Sequence, residues 1–198
     1  MATVPEATEQ SRLLRYSNAA VTLHWLTAVL IVVQVWLGFT FADMPKGPAR
    51  MEVFTWHKSV GVTILLLALI RLAVRLKNPP PPFPLELSRW ERIIAVWNHR
   101  MFYVLIIVLP LTGLIAVSGR GATTALVGGI AFPTVPGMSE AGSELSGGIH
   151  EVLVFVTIAL LVLHIGAALK HQFVDRSRVA GRMPPFRAPA GEHPVTRD

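Results

Sequence analysis

The chain has no cysteine. That one absence removes disulfides, thiolate metal sites, iron–sulfur clusters and covalent c-type haem attachment together. Charge is scarce as well: 15% of the 198 residues are charged and 52% are hydrophobic, with a mean hydropathy of +0.52. A soluble domain needs far more charge to cover its surface, so this composition indicates a membrane protein. Acid is the scarcer sign, 12 residues against 18 basic ones, for a net charge of +6. The basic residues flank apolar runs and form no separate domain. They read as a membrane topology signal, and no nucleic-acid partner is expected. No small-residue cleavage site follows the first apolar run, which is therefore expected to stay as an anchor and not to act as a signal peptide.

What is present is a set of long uncharged runs. No charged residue lies between Arg15 and Asp43, between Arg100 and Arg120, or between Glu151 and Lys170. Each gap suits a membrane helix of roughly 20 residues. A fourth candidate is less clean, because Lys58 and Arg71 bracket only 12 uncharged residues. Its neighbours and an even helix count favour a span, with the terminal cations reaching towards the interfaces. The expected fold is an all-α membrane protein, a four-helix transmembrane bundle with spans near 18–41, 53–76, 97–118 and 148–171. Residues 1–16 and 173–198 form tails around a four-helix transmembrane domain at 17–172. The N-tail, second connection and C-tail, with adjoining helix ends, hold fourteen cations; the opposite side holds Lys46, Arg50, Lys58 and Arg120. That bias places both termini in the cytoplasm.

A 14-residue interval recurs in every span: His24 and Gly38, His57 and Arg71, His99 and Gly113, His150 and His164. Fourteen residues fall about 40° short of four helical turns and rise about 21 Å, so each pair shares a face near opposite leaflets. With alternating helix direction the residues sort into two levels. Gly38, His57, Gly113 and His150 make an outer level; His24, Arg71, His99 and His164 make an inner one. The expected pairs are His57 with His150 and His24 with His164. Facing imidazoles across a bundle are what axial ligation of a flat haem iron requires. Zinc or copper sites could also use histidine pairs, but two separated sites would lack carboxylate or thiolate company.

The remaining candidates carry two readings each. Gly38, Gly61 and Gly113 either clear space for a macrocycle or allow close helix packing. Arg71 is either a propionate partner or an interfacial arginine reaching for headgroups. His99, in WNHRMFY, is either interfacial or at a quinone or haem edge. His171, just past the fourth span, is a candidate for the same inner pocket. His193 lies in a proline-rich tail and is expected to take no part.

The stretches RYSNAAVTLHWL, WHKSVGVTILLLALIRLAVRL, YVLIIVLPLTGLI, GGIHEVLVFVTIALLVLH and ALKHQFVDRSRVAGRM resemble the bacterial cytochrome b561 family over roughly residues 12 to 183. The resemblance implies a four-helix inner-membrane protein holding two non-covalent b haems, with His24, His57, His150 and His164 as axial ligands. It also places Trp25 and His171 near the sites, although Gln172 stands where relatives often carry a second adjacent histidine. Members pass electrons between leaflets, often to or from ubiquinone, and some resemble a superoxide oxidase. The implied function is a quinone-linked diheme electron-transfer protein, with the bilayer and the quinone pool as partners and superoxide or a periplasmic redox protein as donor. Two alternatives stay open: an electron-relay subunit of a separate redox enzyme, and a haem-free metal or proton transporter.

Overall fold

The computed structural model describes residues 15–80, 83, 87–119, 125–131, 134–176 and 179–185. Arg120 and His193 lie outside the described residues, as do Arg12, Arg178, Arg187 and Arg197 among the fourteen cations counted above. Four long helices dominate: α1 Asn18–Asp43, α2 Pro48–Lys77, α3 Arg89–Ser118 and α4 Glu140–Leu169. All four are long and apolar enough to cross a membrane. The second is no exception, despite Lys58 and Arg71.

Three of the four begin well before the expected spans. Their starts follow local chemistry, not hydropathy. Pro48 sits in the first turn of α2, where its missing N–H costs nothing. Ser88 and Glu91 form a reciprocal capping box at α3, and the Ser139 hydroxyl accepts from Gly142 N–H at α4, each satisfying otherwise orphaned donors. At its C-terminal end α4 widens into a π-helical turn, Lys170–Val174.

The bundle is two antiparallel hairpins, α1–α2 and α3–α4, with most contact within each hairpin and a smaller contact between α2 and α3. Its outer surface is apolar: Val32, Trp36 and Leu163 are each more than 60% exposed. In lipid that surface is satisfied, so the hydrophobic effect does not drive the helices together. Small and hydroxyl residues do the joining. Ser143, fully buried, accepts from Gly119 N–H at 2.7 Å and donates to Ile115 O at 3.1 Å. Ser146 donates to Thr112 O at 2.8 Å. Both reach from α4 to the C-terminal half of α3, and Ile115 lies in its last turn, where carbonyls lack helical partners. Ser143→Ala leaves two buried groups unpaired and is expected to cost about 1–3 kcal/mol. The check is a lowered midpoint for thermal unfolding in detergent.

The ends of the bundle are covered differently. At the end of the bundle that carries His57 and His150, a turn through Gly128 and Gly129, both at positive φ, is closed by Leu126 N–H to Ile130 O at 2.8 Å. It is pinned to α2 beside His57 by Lys58 Nζ to Ala125 O at 3.2 Å and Val127 N–H to Ser59 Oγ at 2.9 Å. At the opposite end, beside His24, the segment after α4 folds back. Trp25 Nε1–H donates to Pro184 O at 2.6 Å, and Arg182 is buried between the rings of Tyr16 and Phe83. Burial holds that guanidinium below its usual pKa.

Candidate functional site

Two histidine pairs sit across the hairpin interface. His57 of α2 faces His150 of α4 with ring centres 6.3 Å apart, and His24 of α1 faces His164 of α4 at the same 6.3 Å. Holding a flat iron cofactor between two imidazoles requires about 6 Å: two metal–nitrogen bonds of about 2 Å and two ring radii of about 1 Å. The equal spacing of the two pairs is therefore the spacing axial ligation needs. Each pair takes one ring from each hairpin, so a bound group would tie the hairpins together.

The local sequence explains how His150 is held. In the stretch Leu109-Pro110-Leu111-Thr112-Gly113 of α3, the Leu109 carbonyl accepts from His150 Nδ1–H at 2.9 Å. Thr112 Oγ1 stands 3.2 Å from the same nitrogen and donates to Leu109 O at 2.8 Å. With the ring proton fixed on Nδ1, the Nε2 lone pair is bare and ready for a metal. Gly113 makes this possible, because a Cβ there would lie 3.2 Å from His150 Cε1. Gly38 has the same relation to His57, with a Cβ position 3.2 Å from Cε1. These two glycines thus clear the imidazole rings themselves. Gly61 clears a different group: a Cβ would lie 3.2 Å from Gln34 Nε2.

At His57 the ring is held by a side chain. Gln34 Nε2 lies 3.1 Å from His57 Nε2, while His57 Nδ1 and Gln34 Oε1 are buried without hydrogen-bond partners. Gln34 escaped the sequence reading. Its signal was there, since it is the single carboxamide between Asn18 and Asp43, and a polar group at that depth is costly without a purpose.

The inner level gathers four of the expected residues. Arg71 donates to His24 Nδ1 at 3.0 Å and lies over the Tyr103 ring at 5.6 Å. A guanidinium only donates, so His24 carries its proton on Nε2 in this arrangement. His99, for which the sequence offered no opposite number, meets His164 edge-on at 5.5 Å, and Phe102 packs on the same ring at 5.4 Å. His99 Nδ1–H donates to Ala95 O at 2.8 Å. Trp25 stands edge-on to His24 at 5.3 Å.

His171 lies in the π-helical turn, a distortion that recurs at functional sites. Its Nδ1 is 2.9 Å from Asp175 Oδ2 but off the axis of a hydrogen bond. Lys170 Nζ bridges Asp175 Oδ2 at 2.7 Å and Glu91 Oε1 at 3.3 Å. The hydrogen bond from Lys170 keeps the Asp175 carboxyl below the usual carboxylate range. Glu91, His171 and Asp175 bring ligand atoms within 4.8 Å of one another. Lys170 bridges both carboxylates of that cluster, which stands in the structure as an ion network.

The donor set tests well against haem. Paired imidazoles, one with its lone pair already exposed, and glycines that let the ring edges approach neighbouring helices closely suit an axially ligated iron. Fold and donor set together define the class: a multi-pass membrane cytochrome of the b type, with an electron-transfer role.

The comparisons agree with that class. The family model described as prokaryotic cytochrome b561 matches residues 15–185. The chain belongs to the prokaryotic cytochrome b561 family, whose cofactor is haem b, and is a bacterial membrane protein. It is 27% identical over 177 residues to cytochrome b561 homolog 2 of Escherichia coli (strain K12), covering 85% of this chain and 90% of that one. Cytochrome b561 homolog 1 of the same organism is 27% identical over 186 residues, covering 87% and 98%. A protein named probable superoxide oxidase CybB, from Yersinia pestis, is 28% identical over 175 residues, covering 86% and 96%.

Proposed function

We propose that the protein is a two-haem electron carrier working between the leaflets, with His57 and His150 as axial ligands of the outer haem and His24 and His164 of the inner one. The observation that carries this reading is the repeated 6.3 Å separation of the two pairs at levels about 21 Å apart along their helices. Bound haem iron supplies reversible one-electron chemistry, and two imidazoles leave no open position for oxygen. The chain's contribution is to fix the rings and to set the charge around them. Leu109 and Thr112 orient His150; Arg71 brings a permanent cation to the inner level. Were His24 to hold haem iron through Nε2, its proton would sit on Nδ1, and Arg71 would be free to pair with an anionic group such as a propionate. The cation count supports cytoplasmic tails and an inner level on the cytoplasmic side.

Ubiquinone is the proposed partner at that inner level, beside His99, Arg71 and His171, where protons are within reach of cytoplasmic water. Superoxide is the proposed donor at the outer level; the relative named a probable superoxide oxidase and the cation Lys58 beside His57 support an anionic donor. The test is stopped-flow mixing of the oxidised, purified protein with superoxide, with quinol and with reduced soluble redox proteins, following the haem bands. Rapid reduction by superoxide, followed by reoxidation with ubiquinone, is the expected result. Reduction by a protein donor alone would make the chain a relay subunit instead.

His99→Ala probes the inner partner separately. Its expected effect is slower quinone reduction with both haem spectra retained, because His99 touches His164 only by its edge. Unchanged turnover would remove His99 from the quinone site.

A further inference from the structure

The two hairpins offer their outer histidines to a cofactor in different ways. On α3–α4, His150 is held from behind, through Nδ1, by a backbone carbonyl that cannot leave. Its Nε2 is bare. On α1–α2, His57 has its Nε2 already engaged, by the Gln34 carboxamide at 3.1 Å. A carboxamide can serve that nitrogen in either form of the ring, donating N–H to a bare nitrogen or, turned over, accepting N–H at its oxygen. Gly61 provides the slot in which the amide lies, since a side chain there would press on it at 3.2 Å. The other end of the amide, Oε1, is buried with no partner, so nothing else anchors Gln34 in place. The amide is there for His57.

We infer that Gln34 is an internal occupant of the outer site: a positioning residue that caps the metal-binding nitrogen of His57 when the site is empty and must be displaced when haem binds. The inference rests on the assignment of His57 as an outer ligand. The energetic consequence has a definite sign. A state in which the ligand nitrogen is capped is not competent to bind, and the fraction so capped lowers the apparent affinity in proportion. One hydrogen bond contributes modestly after exchange with alternatives, so the cap weakens outer-haem binding by about two- to tenfold. His150 has no such competitor among the described residues, which makes α3–α4 the prepared half of the site.

The experiment uses the full-length holoprotein in lipid nanodiscs, equilibrated with graded excesses of apomyoglobin as haem scavenger. Haem retained per chain is read from the visible spectrum, and the outer step is identified as the one absent in His57→Ala. Gln34→Leu is expected to hold its outer haem about two- to tenfold more tightly than the parent, with inner-haem retention and the low-spin EPR signature of the bound haem unchanged. Gln34→Asn, whose shorter amide does not reach Nε2, should match it and guards against a misfit of leucine. Equal retention in parent and both variants overturns the inference. Weaker retention also overturns it, by making Gln34 a contact to the bound haem. If the parent carries a single haem, or if His57→Ala keeps both, it is the ligand assignment that has failed instead.

Discussion

His150→Ala and His164→Ala are each expected to reduce the purified protein from two b-type haems to one, and from opposite ends of the membrane. The two residues share α4 and sit 14 positions apart, so each belongs to its own pair. His150 is the better prepared ring, fixed through Leu109 O and Thr112. Its loss leaves His57 alone, with Gln34 still holding the nitrogen a metal would need. His164 has His24 opposite and His99 at its edge. Its loss leaves a ring whose Nδ1 is occupied by Arg71. Neither survivor is arranged to hold iron from one side. Because a cofactor bound only by the folded state adds to stability by mass action, both variants should also melt at lower temperature than the parent. Haem quantification and a redox titration check the result: one reduction wave should vanish in each variant, a different one in each case. His193→Ala, in the tail, should change neither wave. If either single substitution spared both haems, or the two variants lost the same one, the pairing across the hairpins would be wrong.

Much of this arrangement was legible before any coordinates. Uncharged runs in a cysteine-free chain located the spans, and the constant 14-residue interval sorted histidines and glycines into two levels. Periodicity works here because a membrane helix is regular: residue number converts directly into depth and face. The boundaries were less legible. Hydropathy reports where lipid begins, whereas α2, α3 and α4 start where Pro48, Ser88 and Ser139 can begin a helix. The same limit hid Gln34. Spacing arguments single out residues at the repeated interval, and Gln34 lies one turn from Gly38, between levels. Nor could spacing say what the glycines accommodate. Clearance for a macrocycle and clearance for an imidazole look alike in sequence, and only the 3.2 Å approach of both rings distinguishes them. His99 was placed at the inner level but without a partner, since a lateral contact between α3 and α4 depends on how the helices are rotated about their axes.

That reading of the glycines gives the second large effect. Gly113→Val is expected to empty the outer site, and Gly113→Ala to weaken it. A Cβ at position 113 falls 3.2 Å from His150 Cε1 and 3.3 Å from Nδ1, closer than carbon atoms normally approach. The ring must retreat from α3, and as it does the 2.9 Å hydrogen bond to Leu109 O is stretched or lost. With it goes the constraint that keeps the Nε2 lone pair bare and aimed at the partner ring. Overpacking of this kind typically costs about 1–3 kcal/mol, and losing the buried hydrogen bond adds about 1 kcal/mol more. For alanine the neighbour can give by a few tenths of an ångström, so partial haem retention is the expected outcome. For valine, branched at Cβ and stiff in a helix, it cannot. Gly38→Val should act on the same haem from the opposite hairpin, through His57. Two glycines of α4 provide the contrast: Gly148 has nothing within 4 Å of its Cβ position, and Gly147 only Ala116 at an ordinary 3.8 Å. Alanine at either should leave haem content unchanged, and by replacing glycine inside a helix should raise thermal stability slightly. Haem per chain, measured across Gly38→Val, Gly113→Ala, Gly113→Val, Gly147→Ala and Gly148→Ala, therefore has a required order. If Gly148→Ala lost as much haem as Gly113→Ala, helix packing in general, and not the seat of the histidine ring, would be what these glycines serve.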